Sequence, residues 1–439
     1  MRHKVALTNG AQLVAVSSGP VGHFFGYYDI NPWDADEKRL LGHRVLEPQR
    51  FPDSGDEVQL GIFDLTKTPP SFEAITATTA WNYQQGAMFQ WVALGVDRVV
   101  YNNLQDGQAR GMLRSLSDDT EVVLSRPIAA LSRDGSQALS LNFGRLTWAR
   151  PGYGYLGLDD PYADEKLPTD DGVFGVDMRT GDSRLLLSLP EIADVGRSPD
   201  MDQAQHFVNH LGFNPSGERI CFIHLYKLPN GDVRSRLMVA ANDGRDPRVL
   251  IRGMTSHYTW LSDRALLCWA GDRRLLDSGS GSGSQGTRGW RRYVPVDRLK
   301  RLYRMMGKPR WLMYRIMSDR YYIFDVETGR RSVLGEGVLM QDGHCTVSPN
   351  GRWVCVDTYP DARRQVRLGL YDLHNNRYHP VLRLHSPPEL EDEIRCDLHP
   401  RWSPTGRQLC IDSAHTGIRQ IYTIDVSGIV GEDGAGHPR

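Results

Sequence analysis

Seven times along the chain, a short turn rich in Pro, Asn, Asp and Gly is followed at once by an apolar run. The turns are Asn31-Pro-Trp-Asp34, Leu94-Gly-Val-Asp97, Ser132-Arg-Asp-Gly135, Asn214-Pro-Ser-Gly217, Ser262-Asp263, Ser348-Pro-Asn-Gly351 and Ser403-Pro-Thr-Gly406. The runs behind them include Val99-Val-Tyr101, Ile220-Cys-Phe-Ile223, Leu266-Leu-Cys268, Val354-Cys-Val356 and Leu409-Cys-Ile411. Turn formers supply hairpin geometry and β-branched residues supply the strand. A second signature, an apolar strand ending in a polar turn, alternates with the first: Leu60-Gly-Ile-Phe-Asp-Leu65, Val173-Phe-Gly-Val-Asp-Met178, Leu368-Gly-Leu-Tyr-Asp-Leu373, Ile421-Tyr-Thr-Ile-Asp425. Long helical periodicity is scarce. Such self-similarity predicts an all-β chain of seven units with about four strands each, a seven-bladed β-propeller. A pair of β-sandwiches is the competing architecture, but the alternation of the two signatures around the whole chain favours one propeller domain over residues 1–439. The stretch Gln12-Leu-Val-Ala-Val16 is expected to pair with the last unit.

One segment breaks the pattern. Ser278-Gly-Ser-Gly-Ser-Gly-Ser-Gln-Gly286 reads as a flexible loop. The stretch after it, from Gly289 to Trp311, is rich in Arg and Lys and spaces Leu299, Leu302, Tyr303 and Met306 as on a helix face. Residues 272–318 are therefore expected to form a basic, partly helical insertion in the fifth blade. Three roles stand open for it: a cap packed on the propeller, a lid over an anionic substrate, or a peripheral contact with a membrane surface.

Composition excludes more than it assigns. The 439 residues are 24% charged and 40% hydrophobic, with a formal net charge of −1. A near-neutral balance argues against a nucleic-acid partner. The first ten residues lack the apolar core of a signal peptide, and no apolar run approaches the roughly 20 residues of a spanning helix. The cysteines lie mostly in apolar strand runs without metal-type spacing, as expected of reduced packing residues in a cytoplasmic protein.

The chemistry lies in the phase of four histidines. His210, His257, His344 and His399 each stand three residues before an apolar residue, just ahead of a turn. If the innermost strand of each blade lines a central channel, the row nearest the turns reads Tyr27, Met88, Ile128, His210, His257, His344, His399. The next row outward contains Asp342 and Asp397, and the outermost contains His23, Gln84, His206 and Arg395. A lone strand histidine is usually a satisfied core or rim residue. Four in phase on consecutive blades, crowded without a partner, would be costly to bury, and a divalent ion such as Zn or Mn relieves that cost. Asp342 and Asp397 then serve as further ligands or as acceptors that set the imidazole tautomers. An acid/base cluster without metal and plain hydrogen-bonded packing are the alternatives. His43, on the strand returning from His23, is a candidate to meet it near a ligand, or else a residue facing solvent.

These stretches resemble the seven-bladed polysaccharide lyases, above all the oligogalacturonate lyases and more loosely the ulvan lyases. Gln205-His-Phe-Val-Asn-His210 looks like the stretch carrying the family's catalytic-base histidine, and Thr255-Ser-His257 like one carrying a metal-binding histidine. Asp397-Leu-His399-Pro400 is similar to the family's closing His-Pro-His-Pro metal motif, and His344 has a counterpart as well. Two departures matter. Asp397 replaces the first histidine of the closing motif, and Ile394 stands where the family has a metal-binding glutamine. The resemblance implies metal-dependent β-elimination on a uronate-containing glycan, with metal ligands drawn from His210, His257, His344, Asp397 and His399. Row geometry together with the resemblance suggests His210 or His206 as base, Arg395 as partner of the substrate carboxylate, and His23, His43 or Tyr27 as acid. If His210 binds metal it is a poor base. The competing readings are a non-catalytic propeller whose ion pins blades together, and a glycan-binding accessory protein.

Overall fold

In a computed structural model that describes residues 5–47, 50–272 and 319–431, the turn signatures have a common physical basis. In four of them the glycine N–H bonds back to the carbonyl of the first turn residue: Gly135 to Ser132, Gly217 to Asn214, Gly351 to Ser348 and Gly406 to Ser403, at 2.8–3.0 Å. The side chain of that first residue accepts the N–H five positions on, where the next strand begins. Ser132 takes Gln137, Asn214 takes Arg219, Ser348 takes Trp353 and Ser403 takes Gln408. Each glycine has φ near +70°, a conformation in which other residues are strained. The sequence pattern of a Ser or Asn, then a Gly, is thus a hairpin closed twice over.

The strands form six antiparallel sheets. One has seven strands, running in chain order from Gln205–Phe213 to Arg331–Leu334. Its long member Arg248–Trp260 pairs through its first half with Val233–Ala241 and through its second with Ala265–Asp272. Second strands such as Ile220-Cys-Phe-Ile223 and Leu409-Cys-Ile411 are buried continuously rather than on alternate residues, as when both faces of a sheet are covered. The N-terminal segment completes the last two sheets. Gln12–Ala15 pairs with Gln420–Asp425, as expected from the sequence, and Ala6–Leu7 pairs with Arg377–His385. All six cysteines are buried and free. Among the described residues no helix is long and apolar enough to cross a membrane.

The basic insertion expected at 272–318 lies, beyond Asp272, outside the described residues. A different excursion, not singled out from the sequence, positions the site. Between Gln137–Ser140 and Gly172–Asp177 the chain forms the helix Phe143–Ala149 and a long return loop. Asn142 caps the helix by accepting the N–H of Arg145. The buried Arg145 guanidinium ties the excursion together, bonding the carbonyl of His206 at 2.6 Å, Asp160 at 3.1 Å and the carbonyl of Glu165 at 2.7 Å.

Candidate metal centre

The four in-phase histidines do not sit in regular strand. The pairing of Gln205–Phe213 with its neighbour breaks between Asn209 and Gly212, around His210, and that of Arg248–Trp260 breaks between Thr255 and Tyr258, around His257. His344 and His399 precede the strands Cys345–Val347 and Arg401–Trp402. His210 and His399 adopt φ of +51° and +45°, as does Met88 of the same row at +53°. A left-handed backbone costs a non-glycine residue on the order of 1 kcal/mol, and here it swings the side chain out of the pleat.

All four rings gather around Tyr28, whose ring centre lies 5.5, 5.6, 5.2 and 6.4 Å from those of His210, His257, His344 and His399. Within this ring of imidazoles, three form a group. His344 stands 4.2 Å from His257 on one side and 4.2 Å from His399 on the other. Each has an oxygen at Nδ1: Asp342 for His257 (3.0 Å), Asp357 for His344 (3.0 Å) and the Gly26 carbonyl for His399 (2.7 Å). An oxygen acceptor at Nδ1 places the proton there and leaves Nε2 with a bare lone pair. The Nε2 atoms of His344 and His399 nevertheless face each other at 3.2 Å. Two lone pairs at that distance repel unless a cation or a shared proton lies between them. Asp397 joins them: ligand atoms of His344, Asp397 and His399 all lie within 4.8 Å of one another. Imidazole nitrogens with oriented tautomers plus a carboxylate suit a divalent ion.

The charges agree. Burial opposes a positive His344, but Asp357, Asp397 and Asp342 outweigh it and hold its pKa above the usual value. Burial, then the charge of His344, lowers His257 to about 4 and puts His399 well below its ordinary range. Burial works against ionised Asp397, yet Arg395 overrides it and keeps the carboxyl acidic, through contacts of 2.6 and 2.7 Å.

His210 faces the other way. Its Nε2 lies 3.0 Å from Asp29 and 3.3 Å from the Tyr28 hydroxyl, and its ring stacks on Tyr258 at 4.2 Å. The Tyr28 hydroxyl donates to the Tyr258 carbonyl (2.9 Å) and accepts the Tyr258 N–H (3.0 Å), so its proton is committed. His210 therefore donates from Nε2 to Asp29 and keeps Nδ1 bare. Beside these rings stand three phenols and two guanidiniums. Tyr153 meets Tyr27 edge-on at 6.2 Å, Arg150 lies 4.0 Å over Tyr153, and Arg395 lies 4.5 Å over Tyr359, whose hydroxyl is 3.4 Å from His257 Nε2. Burial, then Tyr153, raises the Tyr27 phenol well above its ordinary pKa. Among the described residues no carboxylate pairs with Arg150.

Three expected site residues lie elsewhere. His206 donates to the Met201 carbonyl (2.9 Å) and accepts from His224 (2.9 Å), which in turn accepts from buried Arg236. The break at His210 reverses the face that positions before it present, so His206 does not share the channel row. His23 bonds Gln420 at 3.3 Å and packs edge-on against Phe63 and Phe72. His43, neither solvent-facing nor beside a ligand pocket, is fully buried, stacked on Phe24 and accepting the Ala87 N–H at 3.0 Å. Arg395 is brought in, but its charge is answered by Asp397. Tyr28, Asp29, Arg150, Tyr153, Asp357 and Tyr359 join the site without a strong signal in the sequence. A signal for Asp357 exists: Cys355-Val-Asp357 and Cys410-Ile-Asp412 occupy equivalent places on second strands, opposite His344 and His399.

No model of a known protein family matches the chain, and no curated protein matches it in sequence. Solved structures do. An oligogalacturonate lyase in complex with manganese matches with a TM-score of 0.62 and 16% identity, over 99% of this chain and 98% of that one. An oligogalacturonate lyase from Vibrio parahaemolyticus matches at 0.60 and 12%, over 99% and 100%. The β-propeller domain of the Trilobed protease from Pyrococcus furiosus matches at 0.48 and 8%, over 89% and 92%. What this chain shares with the two lyases, end to end, is the fold.

Proposed function

We propose that this chain is a seven-bladed propeller lyase that cleaves uronate-containing oligosaccharides by β-elimination. Seven blades follow if Arg248–Trp260 ends the fourth and begins the fifth, so that the seven-stranded sheet counts as two. One observation carries the functional reading: the Nε2 atoms of His344 and His399 face each other 3.2 Å apart beside Tyr28, and the His210–Asp29 pair meets the same tyrosine. His257, His344, Asp397 and His399 would hold a divalent ion, manganese or zinc. When bound, that ion supplies positive charge that neutralises the substrate carboxylate and acidifies the adjacent C–H. Arg150 is the chain's own cation for that carboxylate, since Arg395 is engaged by Asp397. His210 Nδ1 takes the C5 proton, with Asp29 supporting the imidazolium through Nε2. Tyr27, kept protonated by burial and 5.0 Å from His210 between ring centres, gives a proton to the departing O4. The proton lost from C5 and the one gained by O4 balance the C4=C5 double bond that forms.

The test is absorbance of the 4,5-unsaturated uronate product over a panel of uronic-acid oligosaccharides, with metal content measured in parallel. Metal-loaded protein inert on every member would remove the enzyme reading. The burial of His344 and His399 (2% exposed each) favours a second reading, a closed structural ion in a non-catalytic propeller. An ion with four protein ligands and no exchangeable water marks that case.

A further inference from the structure

A pocket of about 110 Å³ lies next to the segments that carry Arg150 and Arg395. Its walls include Phe51, Trp81, Tyr83, Pro151, Gly152 and Glu393. Two segments separate it from the site, and each faces both ways. On one, Arg150 and Tyr153 reach toward Tyr27 while Pro151 and Gly152 line the pocket. On the other, Arg395 bonds Asp397 while Glu393 lines the pocket. The segments are locked together. A Cβ on Gly152 would stand 2.9 Å from Glu393 Cγ, and the Gln84 amide donates to the carbonyls of Glu393 (3.3 Å) and Arg395 (3.1 Å). The pocket and the histidine site thus lie on opposite faces of the same two segments.

The chemistry of the walls selects the pocket's ligand. Aromatic rings and prolines offer flat apolar surface suited to the C–H face of a pyranose. The Trp81 indole N–H is already given to the Asp56 carbonyl at 2.8 Å, so the ring contributes surface rather than a donor. Among the described residues no Lys or Arg lines the pocket, and the acid that does, Glu393, repels a second carboxylate. Arg50, next to Phe51, is taken up by Glu47, Asp53 and Asp56. We propose that this pocket is a subsite for a neutral sugar residue, so that the preferred ligand joins a uronate to an uncharged pyranose. The proposal rests on the uronate reading of the histidine site for its second half only; the pocket's preference for a neutral ring stands on its own walls.

Saturation-transfer NMR with the methyl glycosides of a neutral hexose and of a hexuronate tests the two halves separately. Phe51 is 43% exposed, so Phe51→Ala keeps the fold. The neutral glycoside is expected to bind and to weaken about tenfold in Phe51→Ala, the loss of one aromatic contact. The hexuronate is expected to be indifferent to Phe51→Ala and to lose binding in Arg150→Ala. Glu393→Gln is expected to admit the hexuronate to the pocket as a second, Phe51-dependent site. A neutral glycoside that fails to bind, or binds equally well to Phe51→Ala, overturns the pocket. A hexuronate that fails while the neutral sugar binds overturns the reading of the histidine site and leaves the pocket standing.

Discussion

His344 and His399 point their Nε2 atoms at one another across 3.2 Å, each ring donating from Nδ1 to an oxygen, Asp357 for one and the Gly26 carbonyl for the other. Protein interiors do not keep such a contact without a positive charge to share. Asp357 serves both, because it also accepts the backbone N–H of His344 at 2.6 Å and of His399 at 3.2 Å. Replacing it loosens two ligands at once. Asp357→Asn is expected to weaken divalent-ion binding by about 10- to 100-fold, and His344→Ala to abolish it. Titration with Mn²⁺ and Zn²⁺ followed by elemental analysis measures this. Unchanged affinity in Asp357→Asn would falsify the assigned tautomers.

The separation of His210 from that group makes a distinct prediction. His210→Gln should retain the ion and lower kcat by about 10²- to 10⁴-fold, the usual worth of a general base. Asp29→Asn should leave KM nearly unchanged. By removing the carboxylate that orients Nε2 it should also lower kcat. Loss of bound metal in His210→Gln would return this residue to the ligand set.

Acid stability follows from the two misplaced histidines. Burial lowers His43 to about 3 and His23 to about 4. Below pH about 6.5 the unfolded chain protonates these rings while the folded chain keeps them neutral, so the unfolded state binds more protons. Their contribution is complete above that pH and is lost as pH falls toward 4 and then 3, at about 1.4 kcal/mol per pH unit for each ring. Urea midpoints between pH 7 and pH 5 should fall, and His23→Gln should make the fall shallower. A midpoint independent of pH across that window contradicts the neutral, buried state.

The loop bearing Tyr27 and Tyr28 depends on an ion pair from the far end of the chain. Asp412 accepts the N–H of Phe25 at 3.0 Å and pairs with Arg401 at 3.0 Å, and Arg401 donates to the Tyr27 carbonyl at 3.0 Å. Both side chains are fully buried, so removing one strands the other. Asp412→Ala is expected to cost about 3–5 kcal/mol by chemical denaturation. A loss under 1 kcal/mol would mean that the loop is held by something else.

The turn pattern and the four histidines in phase were open to view in the chain. A Ser or Asn followed by Gly closes its hairpin through contacts no more than five residues apart, and Gln12–Ala15 found its partner because both strands are apolar and uncommitted. Parity along the strands was not open to view. The pairing breaks at Asn209–Gly212, where His210 turns left-handed, and again at Thr255–Tyr258, and His206 lost its expected place to the first break. The phase of the imidazoles was thus a local property, written in spacing and turn chemistry. Their partners were decided only in three dimensions. Tyr28, Asp29 and Arg150 reach His210 and its surroundings from segments far away along the chain. A lone pair or a guanidinium takes its meaning from whichever charge folding sets beside it, and spacing along a chain does not encode that.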